Sequence, residues 1–334
     1  MPANNKNWVS GISSIRFVLA LVVFLSHLPD PFIAFFKAQH NIFGTIAGVT
    51  MSHLFCGPTA VIAFFIISGF VIHYPLKDSK SIAVIPFLTR RWLRVGIPML
   101  AISLVAARYG MFWSIPLWSL YCELFYYTIY PFMRAIKITW INKLYCAYGL
   151  SGIVIGLFIA DNIWFSHHIH FRGVYWYAGL AIINLPCWLL GVLLALRIDK
   201  ITDKVSTGKI WLYRFLMVAL GALCIELKWR AHINFDYSVV VLALAFYKWL
   251  QQEILYYRDH RPWGFTEYLG NFSYTLYLCH MLLIAAISHF FAMTIYTWVV
   301  YILLTLILSY LVYLVLEYPA HRLAQRVSRA MAGK

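Results

Sequence analysis

Ten stretches of this chain are apolar enough to be read as membrane-spanning helices, and that pattern excludes almost every soluble fold. They lie near 9–28, 53–74, 95–112, 117–133, 144–160, 176–196, 211–227, 237–250, 268–290 and 297–317, the third, fourth and eighth being short. A bilayer core about 30 Å thick takes about 20 apolar residues to cross as a helix, and in lipid only helices and closed barrels satisfy their own backbone. Of 334 residues only 12% are charged, and mean hydropathy is +0.74; a soluble domain carries about 25% charged residues. The expectation is an all-α polytopic membrane protein: one domain over 1–334, a bundle of about ten helices, and no fused extracytoplasmic domain.

The net charge of +15 would suggest nucleic acid in a soluble protein. Here its distribution speaks for topology instead. With the N-terminus in the cytoplasm, the inner segments and span ends hold Lys6, Lys77, Lys80, Arg90, Arg91, Arg94, Arg134, Lys137 and Lys143. They continue with Arg197, Lys200, Lys204, Lys209, Arg214, Lys248, Arg258, Arg261, Arg322, Arg326, Arg329 and Lys334. The other side holds only Lys37, Arg172, Lys228 and Arg230. Cytoplasmic loops concentrate Lys and Arg, so both termini are expected inside, with membrane lipids as partners and no nucleic acid. Trp164, Trp176, Trp211, Trp229 and Trp298 suit interfacial belts.

Six scattered cysteines make no CxxC or Cys/His ligand spacing, so they read as small buried hydrophobes rather than a disulfide or zinc framework. Arg16 and Pro29-Asp30-Pro31 argue against a cleavable signal peptide. The first outer loop, about 29–52, is moderately apolar and reads as interfacial or re-entrant. His167, His168 and His170 lack a carboxylate or Cys to complete a metal site and read as a solvated outer loop.

Polar residues inside apolar stretches carry the functional signal, because a cation at mid-membrane costs about 2.5–3.5 kcal/mol on insertion scales and normally faces a partner or a wet cavity. Arg16 and His27 are eleven residues apart in the first stretch. That is three turns plus about 20°, so they share a face about 16 Å apart along the axis. One reading is a snorkelling Arg and an interfacial His; the other is a functional pair, with His27 a general base. Ser68-Gly69 in FFIISGF permits close helix approach. Arg90, Arg91 and Arg94 gather on one helical face, either anchoring topology on anionic lipid or gripping phosphate oxygens. Glu123 is the acidic residue set well inside an apolar stretch; in this topology it falls in the outer half of the fourth, at a depth comparable with His27. It would orient His27, or pair with Arg16 or Arg108 as a structural ion pair. Ser273, Tyr277 and His280, at i, i+4 and i+7, make one helix stripe that would line a tunnel or bond helices together. Glu317-Tyr318-Pro319 marks the expected stop of the last span before a basic tail.

Taken in order, Arg16-x10-His27, FFIISGF, RRWLR with Pro98, W-S-L-x-x-E-L-F-Y, SYTLYLCH and EYP resemble the acyltransferase-3 family of integral membrane O-acyltransferases over essentially the whole chain. The resemblance implies a bacterial inner-membrane enzyme. It would move acetyl from acetyl-CoA to a hydroxyl of a cell-surface or lipid-linked sugar such as O-antigen polysaccharide, with no metal. It implies that Arg16 and His27 are the essential first-helix pair, that Arg90, Arg91 and Arg94 bind the donor, that Glu123 is the family's intramembrane carboxylate, and that Ser273, Tyr274 and His280 form its ninth-helix block. The mechanism expected is attack on the thioester with His27 as base and Glu123 orienting it, Arg16 stabilising the oxyanion or lining the donor channel, and Ser68 and Tyr277 along the tunnel. An acetyl-His27 intermediate stays open. The competing readings are a transporter or flippase for an anionic glycan or lipid, and an acyltransferase drawing on lipid donors.

Overall fold

The computed structural model describes residues 9–29, 31–32, 35, 42–164 and 174–333. Lys6, Lys37, His167, His168, His170, Arg172 and Lys334 lie outside these, as do the side chains of Trp164 and Trp176. The described residues form helices and connecting segments, with no strand among them. The helices are α1 (Ile12–His27), α2 (Ile42–His53), α3 (Gly57–His73), α4 (Val84–Arg108), α5 (Leu117–Ala135), α6 (Trp140–Trp164) and α7 (Val174–Arg197). They continue with α8 (Thr207–Arg230), α9 (Phe235–Asp259), α10 (Gly264–Leu269), α11 (Ser273–Ser288), α12 (Ile295–Val312) and α13 (Tyr318–Ala332).

Each of the ten apolar stretches is helical, but among the described residues six helical segments are long and apolar enough to cross a membrane: Ile42–Leu76, Trp140–Ala160, Tyr177–Lys200, Thr207–Arg230, Gly264–Ser288 and Ile295–Ala332. The helix α1 is apolar but shorter. Polar residues lower the hydropathy of the remaining three: the arginines of α4, the tyrosines of α5 and the Gln251-Gln252-Glu253 run of α9. That run is buried, so its polarity is turned into the bundle rather than towards its surroundings.

The helix α3 sits at the centre, with most of its residues buried. It packs against α7, α1, α9 and α5. Its contact with α7 depends on two glycines. A Cβ on Gly69 would lie 2.0 Å from Trp188 O, and one on Gly191 would lie 1.9 Å from Ile66 O. The backbones therefore touch there, as the small-residue reading of Ser68-Gly69 anticipated. Five of the six cysteines are buried, in keeping with small core residues, whereas Cys146 is exposed.

The N-terminus of α1 is capped from a distant part of the chain. Ser14 N and Oγ donate to Glu267 of α10 at 2.9 and 2.8 Å, placing an anion where the helix leaves amides unsatisfied. The last helix does not stop at Glu317, contrary to expectation. A π turn over Tyr313–Glu317 carries the helix into α13, with Pro319 tolerated in its first turn. The helix α13 packs against α4, where Ser328 Oγ donates to Pro86 O at 3.0 Å.

Candidate functional site

Two cavities meet at the arginines. The larger, about 500 Å³, is lined by Arg16, Arg90, Arg91, Arg94, Tyr74, Asn271, Glu317 and His321 among others. The second, about 110 Å³, shares Arg16, Arg91 and Arg94 and adds Ser68, Ser119, Glu123, Tyr127, Ser273, Tyr274 and Tyr277. Its remaining wall is apolar, from Val61, Phe64, Phe65, Ile67, Val71, Val95 and Leu120. Ten of the eleven residues singled out by sequence pattern are drawn together around this system: nine line it, and His280 adjoins Tyr277, the two rings 6.2 Å apart between centroids. His27, the eleventh, lines neither cavity.

Distances along α3 explain the placement. Gly57 lies against His27: a Cβ on it would sit 3.9 Å from His27 Cε1. Ser68 is eleven residues further on, about 16 Å at 1.5 Å per residue. Ser68 is therefore at the level of Arg16. Glu123 joins it there, since Ser68 Oγ donates to Glu123 Oε1 at 3.0 Å and Tyr127 OH donates to the same oxygen. Trp188 Nε1 completes the group by donating to Ser68 Oγ at 3.3 Å. The expectation that Glu123 orients His27 is thus corrected. Glu123 is six residues inside α5, about 9 Å from its start, whereas His27 is the last residue of α1. Arg108, the other suggested partner, is exposed at the end of α4.

Arg91 is held between aromatic faces, its guanidinium 5.8 Å from the ring centres of Phe87 and of Tyr127. Its Nε is buried and makes no hydrogen bond among the described residues, an arrangement that calls for an anionic acceptor. Arg94 is partly buried and Arg90 exposed. Glu317 supplies a carboxylate to the same cavity. It is buried and accepts from Thr275 N at 3.2 Å and Thr275 Oγ1 at 2.5 Å, tying the π turn to α11.

The predicted stripe on α11 lines the narrow cavity through Ser273 and Tyr277 and also bonds to neighbouring protein. Ser273 Oγ donates to Gly270 O at 2.9 Å, Tyr274 OH donates to Val95 O of α4 at 2.8 Å, and Tyr277 OH lies 2.5 Å from Ser119 Oγ of α5. One turn on, His280 Nε2 stands 3.3 Å from His27 Nδ1. His280 is fully buried, while His27 is exposed. The 110 Å³ cavity reaches Val61, four residues from Gly57, so it ends about one helical turn short of His27's level, and Tyr277 and Phe64 line it with their rings 5.9 Å apart.

Sequence reasoning missed Tyr127, Ser119 and His321, and read Glu317 only as the marker of a helix end. Tyr127 follows Glu123 by four residues, the spacing that puts two side chains on one helix face, and Ser119 lies in the same quoted block; both were legible signals. His321 carried none, because it comes after the point where the helix was expected to end. Among the described residues no group of three or more His, Cys, Asp or Glu side chains could hold a metal ion.

Comparison with curated proteins and with solved structures returns no match. The model of the family described as an acyltransferase domain does match, over residues 9–314. It takes in all ten apolar stretches but for the last residues of the tenth, together with both cavities apart from the wall that Glu317, Tyr318 and His321 supply, and this chain therefore belongs to the acyltransferase-3 family.

Proposed function

We propose that the protein is an O-acetyltransferase of the bacterial inner membrane, with both termini in the cytoplasm. It moves acetyl from acetyl-CoA to a hydroxyl of a cell-surface or lipid-linked sugar such as O-antigen polysaccharide. The observation that carries this reading is the pair of cavities sharing Arg16, Arg91 and Arg94, one wide and charged, the other narrow, apolar and directed towards the histidine end.

The residues suit such a donor. Guanidinium forks match phosphate oxygens, and the buried Arg91 Nε still needs an acceptor. The narrow apolar cavity accepts a slender, weakly polar arm and rejects a bulky charged head. Acetyl-CoA supplies an acyl carbon already activated as a thioester. Arg16, about 16 Å along α1 from His27, lines the donor channel and does not reach the oxyanion. Glu123 offsets the arginine charge at the same level. Ser119 and Tyr277, at the far end of the cavity, offer hydroxyl donors to a carbonyl oxygen. His27, on the exposed side, takes the proton of the sugar hydroxyl as its oxygen bonds to the acyl carbon. The carbon–sulfur bond breaks, and His27 returns the proton to the leaving sulfur.

The test is purified protein with radiolabelled acetyl-CoA and candidate glycans. Acceptor-dependent release of free CoA, lost in His27→Ala, is the expected result. Glycan movement across vesicles without CoA release would replace the enzyme reading with a transporter.

A further inference from the structure

The proposal that His27 is the base leaves open which of its ring nitrogens carries the proton, and the family resemblance gives His280 no defined role. The surroundings of His280 answer both points. Its Nδ1 lies 2.8 Å from Tyr277 O and 3.2 Å from Leu276 O. Both neighbours are carbonyls and can only accept, so Nδ1 carries the hydrogen. In a neutral imidazole the other nitrogen then presents a lone pair. That nitrogen, Nε2, is 3.3 Å from His27 Nδ1. His27 Nδ1 is also 2.9 Å from Val23 O, an acceptor again. Two acceptors facing one ring nitrogen place the His27 hydrogen on Nδ1 and leave its Nε2 bare.

We infer that His280 is a positioning residue: it sets the tautomer and ring orientation of His27, so that His27 Nε2 is the atom that accepts the proton of the sugar hydroxyl. The part that a carboxylate plays beside a catalytic imidazole falls here to a neutral imidazole. Burial is what makes it dependable. His280 is completely enclosed, edge-on to Phe24 with ring centres 6.3 Å apart, so water does not compete for its lone pair. When His27 has taken the proton, its Nδ1–H still points at His280 Nε2, and the contact favours the cation that forms. Ser26 does not alter this, since its hydroxyl donates to Val23 O at 2.7 Å and Ser26 Oγ is 3.5 Å from His27 Nδ1.

The inference rests on the base assignment and is tested so that the two fail differently. The full-length protein is prepared as His280→Leu, which keeps bulk and removes the acceptor, and as His280→Gln, whose amide oxygen can stand in for Nε2. His280→Leu is expected to lower kcat about 100-fold, within the range of general-base effects, with the acetyl-CoA KM within about twofold. His280→Gln is expected to recover most of that loss. In ¹⁵N-histidine spectra of the unsubstituted protein, the signal lost in His27→Ala should be the Nδ1–H tautomer, and it should become mixed in His280→Leu. Full activity in His280→Leu, or equal loss in Leu and Gln variants with the His27 tautomer unchanged, overturns the inference. If His280→Leu does not fold, the Gln variant decides: activity with the Nδ1–H tautomer supports it, and inactivity in a folded protein with that tautomer retained overturns it. Full activity in His27→Ala instead removes the base assignment itself, whatever His280 does.

Discussion

Ser68 of α3 donates a hydrogen bond to Glu123 of α5 at 3.0 Å, and it does so at the level of Arg16, about 16 Å along the bundle from His27. This one contact separates the polar residues into two groups. In the proposed reaction Glu123, Tyr127, Ser68 and the arginines would serve the donor, while His27 and His280 would serve the acceptor. Each group should leave its own kinetic signature.

Replacing Glu123 with Gln should lower kcat/KM for acetyl-CoA about tenfold or more and leave the acceptor KM within about twofold. The carboxylate accepts from both Ser68 and Tyr127 and balances nearby guanidinium charge. Steady-state kinetics with each substrate varied in turn checks this. A change confined to the acceptor KM would return Glu123 to His27's side.

Arg91→Ala should raise the acetyl-CoA KM about tenfold or more, and Arg91→Lys should rescue little of it, because an ammonium cannot reproduce the planar fork held between Phe87 and Tyr127. Arg90→Ala should do less, since Arg90 is exposed. Equal KM effects at the two positions would contradict the placement of Arg91 at the cavity junction.

Gly191→Ala should destabilise the fold by about 1–3 kcal/mol or more, the usual scale of overpacking. The added carbon meets the backbone oxygen of Ile66 at 1.9 Å, and a backbone atom cannot swing away. Thermal unfolding in detergent measures it; an unchanged midpoint would show that α3 and α7 are further apart than described.

Glu253 is buried and accepts from Arg214 through Nε at 2.8 Å and an Nη at 2.9 Å, with Trp249 adding a third bond at 3.0 Å. Arg214→Ala leaves that carboxylate unpaired. It should cost about 3 kcal/mol, the lower end for a broken buried pair because Arg214 is partly exposed. Arg214→Met with Glu253→Met should recover much of the loss, as judged by unfolding midpoints.

The proposed orientation puts Trp229 outside and Met331 inside. Both are exposed. In a protein whose exposed Cys146 is replaced by Ala, Trp229→Cys should react with an impermeant maleimide in cells whose outer membrane alone is opened. Met331→Cys should react only after the inner membrane is opened too. The opposite pattern would invert the topology.

Much of this was legible in the sequence. The apolar stretches gave the helices, because the cost of an unsatisfied backbone in lipid leaves no other element. Ser68, Glu123, Arg91 and Tyr277 stood out because polarity inside such a stretch needs a reason. What could not be read was the relative height of helices distant in the chain. Glu123 was paired with His27 because a carboxylate at comparable depth would fix the tautomer of the imidazole, but whether two residues meet depends on how the two helices are placed against each other, which no periodicity within either helix encodes. His280 was visible as the end of a stripe, yet the role proposed for it rests on which nitrogen faces which carbonyl. The continuation of the last helix through a π turn was hidden behind Pro319, because proline in a helix interior removes a backbone donor and normally breaks the helix.

Because Arg16 and His27 ride on one unbroken helix, the protein carries a fixed ruler between where a donor would be gripped and where its acyl group would be needed. Analogues with a clipped arm would still be gripped at the head and yet stop short, acting as inhibitors that no amount of acceptor could overcome.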